Sequence, residues 1–298
     1  MDGRKRILLL GSTGFIGRNM LQYLKNRDQY ELLTPTRPEL DLLNEQSVEA
    51  YLKSNVPDVV IHAAIHNPGN DARKTKEKIL EYDLRMYYNL EKYSDFYGKM
   101  LYCGSGAEYD KRFPVARAAE SEIGRHIPVQ DYGFAKYIIN QSIRQSENIY
   151  NLRIFGLFGP YENWSKTFIS ASCCKAVKGL PLAIRQNARF DYVWIEDFCE
   201  IADWFIQNKP RYHDYNITPP DTADLCSIAQ MILDISGKTL PVYVCRPGMA
   251  NEYSGDNQRL MEEIGTHQFM PMYRSIEKLY QWYSAHQKII DIYQLLYQ

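Results

Sequence analysis

Ser105, Tyr132 and Lys136 are residue types that together could move a proton onto or off a carbonyl oxygen. Tyr132 and Lys136 stand four apart in Asp131-Tyr132-Gly133-Phe134-Ala135-Lys136, a spacing that puts both on one face of a helix. An ammonium beside a phenol stabilises the phenolate, so such a tyrosine can exchange a proton with a carbinol or carbonyl. Ser105 lies in Gly104-Ser105-Gly106-Ala107-Glu108-Tyr109, the turn after the strand-like Lys99-Met100-Leu101-Tyr102-Cys103. Sites gather at such strand ends in open α/β sheets. Plainer readings exist for each. A serine between glycines is a common turn former, and with 24 tyrosines a Tyr-Lys pair four apart also arises by chance.

What makes the combination chemical is the start of the chain. The apolar run Ile7-Leu8-Leu9-Leu10 stops at Gly11-Ser12-Thr13-Gly14-Phe15-Ile16-Gly17, and residues 18–24 then read as a helix. Four apolar residues bounded by glycine predict a buried parallel strand. Strand, glycine loop and helix form a phosphate cradle: Gly11 for the tight turn, Gly14 for close approach to a pyrophosphate, Gly17 for helix packing, with Thr13, Phe15 and Ile16 between them. The spacing differs by one residue from the dinucleotide fingerprint, and a glycine-rich turn without a ligand would look the same.

Further elements follow in order. Tyr30-Glu31-Leu32-Leu33-Thr34 predicts a second strand, with Arg37 just past its end. There a carboxylate would bind the 2′-hydroxyl of NAD and an arginine the 2′-phosphate of NADP, so NADP is favoured and NAD stays possible. A solvated surface arginine is the alternative. Val56 to Ala64 predicts a buried strand ending in small residues, and His62 and His66 read as structural histidines rather than metal ligands, since no cysteine or carboxylate cluster accompanies them. A polar loop is expected over residues 67–78, a long helix over 79–97, and a helix from Asp131 to about residue 147.

Composition sets bounds. A chain of 298 residues with 45% hydrophobic and 24% charged residues is that of an ordinary globular protein with a sizeable core. A net charge of -1 gives no bulk attraction to nucleic acid or anionic membrane, so neither is expected as a partner. No run of eighteen apolar residues and no leader sequence is visible, and a cytoplasmic protein is expected. Six cysteines without C-x-x-C spacing predict reduced packing residues, with no metal site and no disulfide framework.

Taken together, the glycine loop, His62-Ala63-Ala64, Ser105 four residues before Tyr109, Tyr132-x-x-x-Lys136 and Leu152-Arg153-x-Phe155-x-x-Phe158-Gly159-Pro160 resemble the extended short-chain dehydrogenase/reductase family over nearly the whole chain. Thr36-Arg37-Pro38-Glu39-Leu40-Asp41-Leu42-Leu43-Asn44 is most similar to its reductases of nucleotide-activated keto-sugars, of the GDP-L-fucose synthase type. The resemblance implies a doubly wound parallel Rossmann sheet with a smaller C-terminal α/β lobe for substrate. The dinucleotide domain would span 1–160 with a returning segment near 189–218, the lobe 161–188 and 219–298. It implies Ser105, Tyr132 and Lys136 as catalytic groups, Arg37 at the 2′-phosphate, Asp41 and Leu42 flanking the adenine, and Ala63 and Ala64 lining the cofactor cleft. It also implies a homodimer through the Tyr132 helix and a nucleotide-diphosphate sugar as substrate.

Departures from the family narrow the chemistry. Dehydratases carry Asp-Glu after the hydroxyl residue, where this chain has Gly106 and Ala107. Fucose synthase uses a cysteine where Ala107 stands and a downstream histidine, and residues 155–172 contain none. Hydride transfer at a sugar carbon survives, as an NADPH-dependent 4-keto reductase or as a 4-epimerase with tightly held NAD. A non-catalytic dinucleotide-binding protein on the same fold is the rival from another class. For substrate, Asn163 in the loop after Pro160, Arg189 and Arg246 are the candidates. Arg189 is one residue before the family's arginine position, occupied here by Phe190, and Arg246-Pro247-Gly248 resembles a diphosphate-binding segment of sugar-nucleotide epimerases.

Overall fold

The structure is a computed structural model and describes residues 3–66 and 78–296. The loop expected over 67–78 therefore lies, except for Lys78, outside the described residues. The first half of the chain alternates strand and helix: β1 (Lys5–Leu10), α1 (Phe15–Leu24), β2 (Tyr30–Leu33), α2 (Glu45–Asn55), β3 (Val59–His62), α3 (Ile79–Glu91) and β4 (Lys99–Ser105). Next come β5 (Val115–Ala118), α4 (Asp131–Ile143), β6 (Ile149–Ile154), β7 (Gly156–Phe158), α5 (Phe168–Lys178), β8 (Leu182–Asn187), β9 (Arg189–Phe190) and β10 (Tyr192–Trp194). The remainder holds α6 (Ile195–Gln207), β11 (Asp214–Ile217), β12 (Ala223–Asp224), α7 (Leu225–Ser236), β13 (Val242–Met249), β14 (Tyr253–Gly255), α8 (Gln258–Ile264), α9 (Met272–Ala285) and α10 (Ile292–Leu296).

Six strands form one wholly parallel sheet in the order β11-β6-β4-β3-β1-β2. Strand β1 explains why its sequence reads as an unbroken apolar run. Ile7 and Leu9 enter one core with Met20 and Leu24 of α1, while Leu8 and Leu10 enter another with Val48 and Leu52 of α2 and Tyr87 of α3. Both faces of the strand are covered, so no position is left for a polar side chain. The first core continues through Ile169 and Cys173 of α5, Ile228 and Ile232 of α7 and Leu279 of α9. Among the described residues no helix is long and apolar enough to cross a membrane.

Several predicted boundaries shift for local reasons. The long helix over 79–97 ends at Glu91, and Ser94–Phe96 makes a separate short turn whose chain is held by Asn148 Nδ2 donating to the carbonyls of Ser94, Tyr97 and Gly98. Helix α4 stops at Ile143, whose carbonyl accepts from Ser146 Oγ at 2.7 Å. The strand expected over 56–64 is shorter, Val59–His62. Pro57 has no N–H to give a ladder. The aromatic tail from Ile276 to Leu296 divides into α9 and α10.

Candidate active site

The cradle is built by backbone contacts. Gly11 has φ 80°, and a Cβ there would lie 2.8 Å from Ala64 N and 2.9 Å from the Ala63 carbonyl carbon. The loop after β3 therefore presses directly on the glycine turn, which is why small residues follow His62. Gly17 packs against that turn too: its Cβ would overlap the Gly11 carbonyl, 2.6 Å from the carbon. Gly14 faces open space, where a Cβ would meet only Gly11 O at 3.4 Å. Helix α1 begins there with no side-chain cap and no acid in its first turn. Its free N–H groups and positive dipole end thus suit a phosphate group, and the cradle fits a dinucleotide.

Replacing Gly17 with alanine should drive α1 off the turn. We expect a stability loss of about 1–3 kcal/mol, typical of overpacking, together with loss of dinucleotide binding, measured by thermal denaturation and fluorescence titration.

The groups expected to handle a proton come from β4 and α4. Ser105 ends β4, and its Oγ accepts from the Ala107 N–H at 3.1 Å, while Glu108 Oε1 accepts from the Ser105 N–H at 3.1 Å. Tyr132 sits in the first turn of α4. Gly133 lets that turn press against the serine turn, since a Cβ there would lie 2.5 Å from Ala107 O. One turn further, Lys136 is 1% exposed and donates to Tyr102 Oη at 2.8 Å and Cys103 O at 2.9 Å. Its Nζ lies 5.7 Å from the Tyr132 ring centre. Both hydrogen-bond partners are uncharged groups.

The charge is visible in its neighbours. His62 is buried edge-on to Tyr102, and burial, then Lys136, lowers its pKa to about 3. The Cys103 thiol is pushed up to about 12 by burial, against the pull of Lys136. Asp83 is raised by burial, opposed by Lys136.

Behind the serine turn lies a buried ionic network that local sequence does not announce. Arg153 Nε donates to Glu108 at 2.6 Å, and its other nitrogens to Asn216 at 3.0 Å and Asp214 at 2.8 Å. Arg153 and Glu108 are both 0% exposed. Burial works against the guanidinium charge, yet Glu108 and Asp214 leave its pKa raised. Asn151 Nδ2 bonds Glu108 as well, at 3.0 and 3.1 Å. Ser105 is thus held by a carboxylate that is itself held by β6 and β11.

A cleft of about 630 Å³ joins these parts: Gly11, Thr13, Gly14, Phe15, Ile16, Ala63, Ala64, Ser105, Tyr132 and Lys136 line it, with Glu162, Asn163 and Thr167. An adjoining chamber of about 290 Å³ shares Ser105, Tyr132 and Phe155 with it and adds Lys111, Arg112, Gln130 and Tyr253. A third pocket of about 620 Å³ meets the cleft at Thr167 and carries Lys166, Lys175 and Arg185. Lys175 is buried, which lowers its pKa, and among the described residues no carboxylate pairs with it.

Other candidates lie elsewhere. Arg37 projects from the end of β2 with its side chain 73% exposed, Nε 3.8 Å from Asp41. Asp41 also accepts from the Leu43 N–H at 3.1 Å. Leu42, next to it, is packed in the core beside α2 and α3. Arg189 and Arg246 are exposed, on β9 and on β13, and line none of the three spaces. Besides Lys136, the cations that line the cleft and the two spaces beside it are Lys111, Arg112, Lys166, Lys175 and Arg185, single basic residues that carry no motif.

Comparison with known proteins agrees with this architecture. The chain is 25% identical over 243 residues to the GDP-L-colitose synthase of Yersinia pseudotuberculosis, covering 72% of this chain and 79% of that one. It is 26% identical over 254 residues to the GDP-6-deoxy-D-mannose reductase of Pseudomonas aeruginosa, covering 80% and 82%. Its fold matches a crystal structure of a GDP-L-fucose synthetase from Naegleria fowleri bound to NADP with a TM-score of 0.84 at 16% identity, over 97% of this chain and 95% of that one. Residues 7–218 match the model of the NAD dependent epimerase/dehydratase family, and the chain belongs to that family, as an NAD(P)-dependent oxidoreductase of the extended short-chain type.

Proposed function

We propose that the protein reduces the C4 carbonyl of a nucleotide-diphosphate-linked keto-sugar with NADPH. The observation that carries the reading is the shared wall. Ser105 and Tyr132 line both the glycine-loop cleft and the adjoining polar chamber, so a carbonyl held in the chamber would meet them beside a cofactor held in the cleft. NADPH, when bound, supplies the hydride. Tyr132 gives its proton to the carbonyl oxygen, and Ser105 donates a hydrogen bond to the charge developing there. Lys136, anchored on Tyr102 and Cys103, stabilises the phenolate that remains and would hold the nicotinamide ribose. The relatives support the substrate class, since their names describe a nucleotide-sugar synthase and a nucleotide-sugar reductase. Lys166, Lys175 and Arg185 offer the substrate's phosphates several cations next to the cleft.

The test is cofactor oxidation against a panel of GDP-, UDP-, CDP- and dTDP-4-keto sugars. Net NADPH consumption with one of them is the expected result. Protein that purifies with bound NAD and interconverts sugars without net consumption would be a 4-epimerase instead. Arg37 bears on the same choice. Its exposed guanidinium is the cation at the end of β2, and Arg37→Ala should weaken NADPH about tenfold while leaving NADH unchanged, the size of one charge-assisted contact. Paired fluorescence titrations with the two cofactors measure it.

A further inference from the structure

Glu162 is a buried acid that this mechanism leaves unused. It follows Gly159-Pro160 on the way into α5, is 9% exposed and lines the cleft next to Asn163 and Thr167. Ser170 Oγ bonds its Oε2, and Thr167, whose hydroxyl donates to Asn163 O at 3.3 Å, lines the cleft beside it. Among the described residues it has no cationic partner. The titratable groups that face it are Cys173 and Cys174 of α5, Tyr192 of β10 and Tyr283 of α9. Burial pushes every one of them upward, so none carries charge near neutral pH. Burial likewise pushes Glu162 up to about 8, with the two hydroxyls opposing only in part. A carboxyl in that state is a donor as well as an acceptor. Ser170 Oγ meets Oε2, and the carboxyl's other oxygen can present its O–H to the cleft that Glu162 lines.

We infer that uncharged Glu162 donates a hydrogen bond to the carboxamide oxygen of the nicotinamide and so positions the ring in the cleft. Dinucleotide phosphates belong at the Gly11–Gly17 cradle, and the ring belongs beside Ser105 and Tyr132, which line the same cleft as Glu162. A carboxylate could not donate, and it would place a charge in a wall without a cation. Glu162 is therefore a positioning residue, and its neutral form is the binding form. The inference rests on the proposed use of the cleft for a nicotinamide cofactor.

Fluorescence titration of the full-length protein with NADPH from pH 6.5 to 9 tests it, with NADH in parallel and with 2′-phospho-ADP-ribose, which lacks the nicotinamide, by calorimetry. The wild-type Kd for NADPH should rise on the order of tenfold by pH 9, as the competent fraction falls to about a tenth. In Glu162→Gln, which keeps a neutral donor, Kd should stay flat with pH and near the wild-type value at pH 6.5. The fragment should bind independently of pH in both proteins. A flat wild-type profile, an equal rise in Glu162→Gln, or an equal rise for the fragment overturns the inference. Binding of NADH in place of NADPH would sink the cofactor preference alone, and the same pH series then decides on Glu162. If neither cofactor binds, both readings fall.

Discussion

Tyr132→Phe should lower kcat by at least about a hundredfold, the usual contribution of a positioned proton donor, while the Kd for NADPH changes by no more than about twofold. The reason lies in the inventory of the shared wall. Ser105 and Tyr132 are its hydroxyl groups, and the Ser105 Oγ already accepts from a backbone N–H. Of the nearby titratable groups, the Cys103 thiol is pushed up to about 12 and His62 is held neutral, so neither supplies a proton at ordinary pH. Lys136 keeps its bonds to Tyr102 and Cys103 without the Tyr132 hydroxyl, so the cleft should keep its shape. Stopped-flow reduction separates the two effects. Turnover near the wild-type rate would move the proton donor elsewhere.

The second large effect concerns stability. Arg153→Leu should cost about 3–5 kcal/mol, because it leaves the Glu108 carboxylate buried without a guanidinium, while Asp214 keeps Arg144 and Arg259. In a chain of this size that is a fall in Tm on the order of 10 °C. Adding Glu108→Gln should recover part of the loss, since the two residues form one unit and their effects cannot add. Equal Tm values for Arg153→Leu and wild type would show that water reaches the network. Burial raises the Asp214 carboxyl, but Arg153 and Arg144 outweigh it and leave the pKa below its ordinary 3.8. Its folded value being depressed, this group's stabilisation is complete above about pH 4 and is lost as the pH falls through the folded value.

The glycine cradle, the tyrosine-lysine pair and the Ser105 turn were readable because each is a local pattern: strand and loop, one helix turn, one strand end. The central sheet was readable for the same reason, as runs of apolar residues closed by small ones. The network was not. Glu108 and Arg153 are 45 residues apart, Arg153 and Asp214 61 apart, and nothing local ties them. One hint existed: in Ile149-Tyr150-Asn151-Leu152-Arg153-Ile154 polar residues alternate with apolar ones, which usually marks a strand with one wet face. Here that face is buried, with Asn151 and Arg153 both 0% exposed, and its polarity serves Glu108. Helix ends were misjudged where a distant side chain, Asn148, held the chain after α3. Arg189 and Arg246 are candidates by residue type and likeness of segment, and β9 and β13 leave them exposed and outside the lining of the cleft.

Asp214 and Asn216 lie on β11, at the edge of the sheet and more than a hundred positions after Ser105. A polypeptide emerging from the ribosome therefore carries the Glu108 turn and Arg153 long before their last partners exist. A fragment ending near residue 160 would hold every group proposed for proton transfer and still lack Asp214 and Asn216, which fix Arg153 behind the serine turn. The support behind the serine turn is therefore complete only once the returning strand docks.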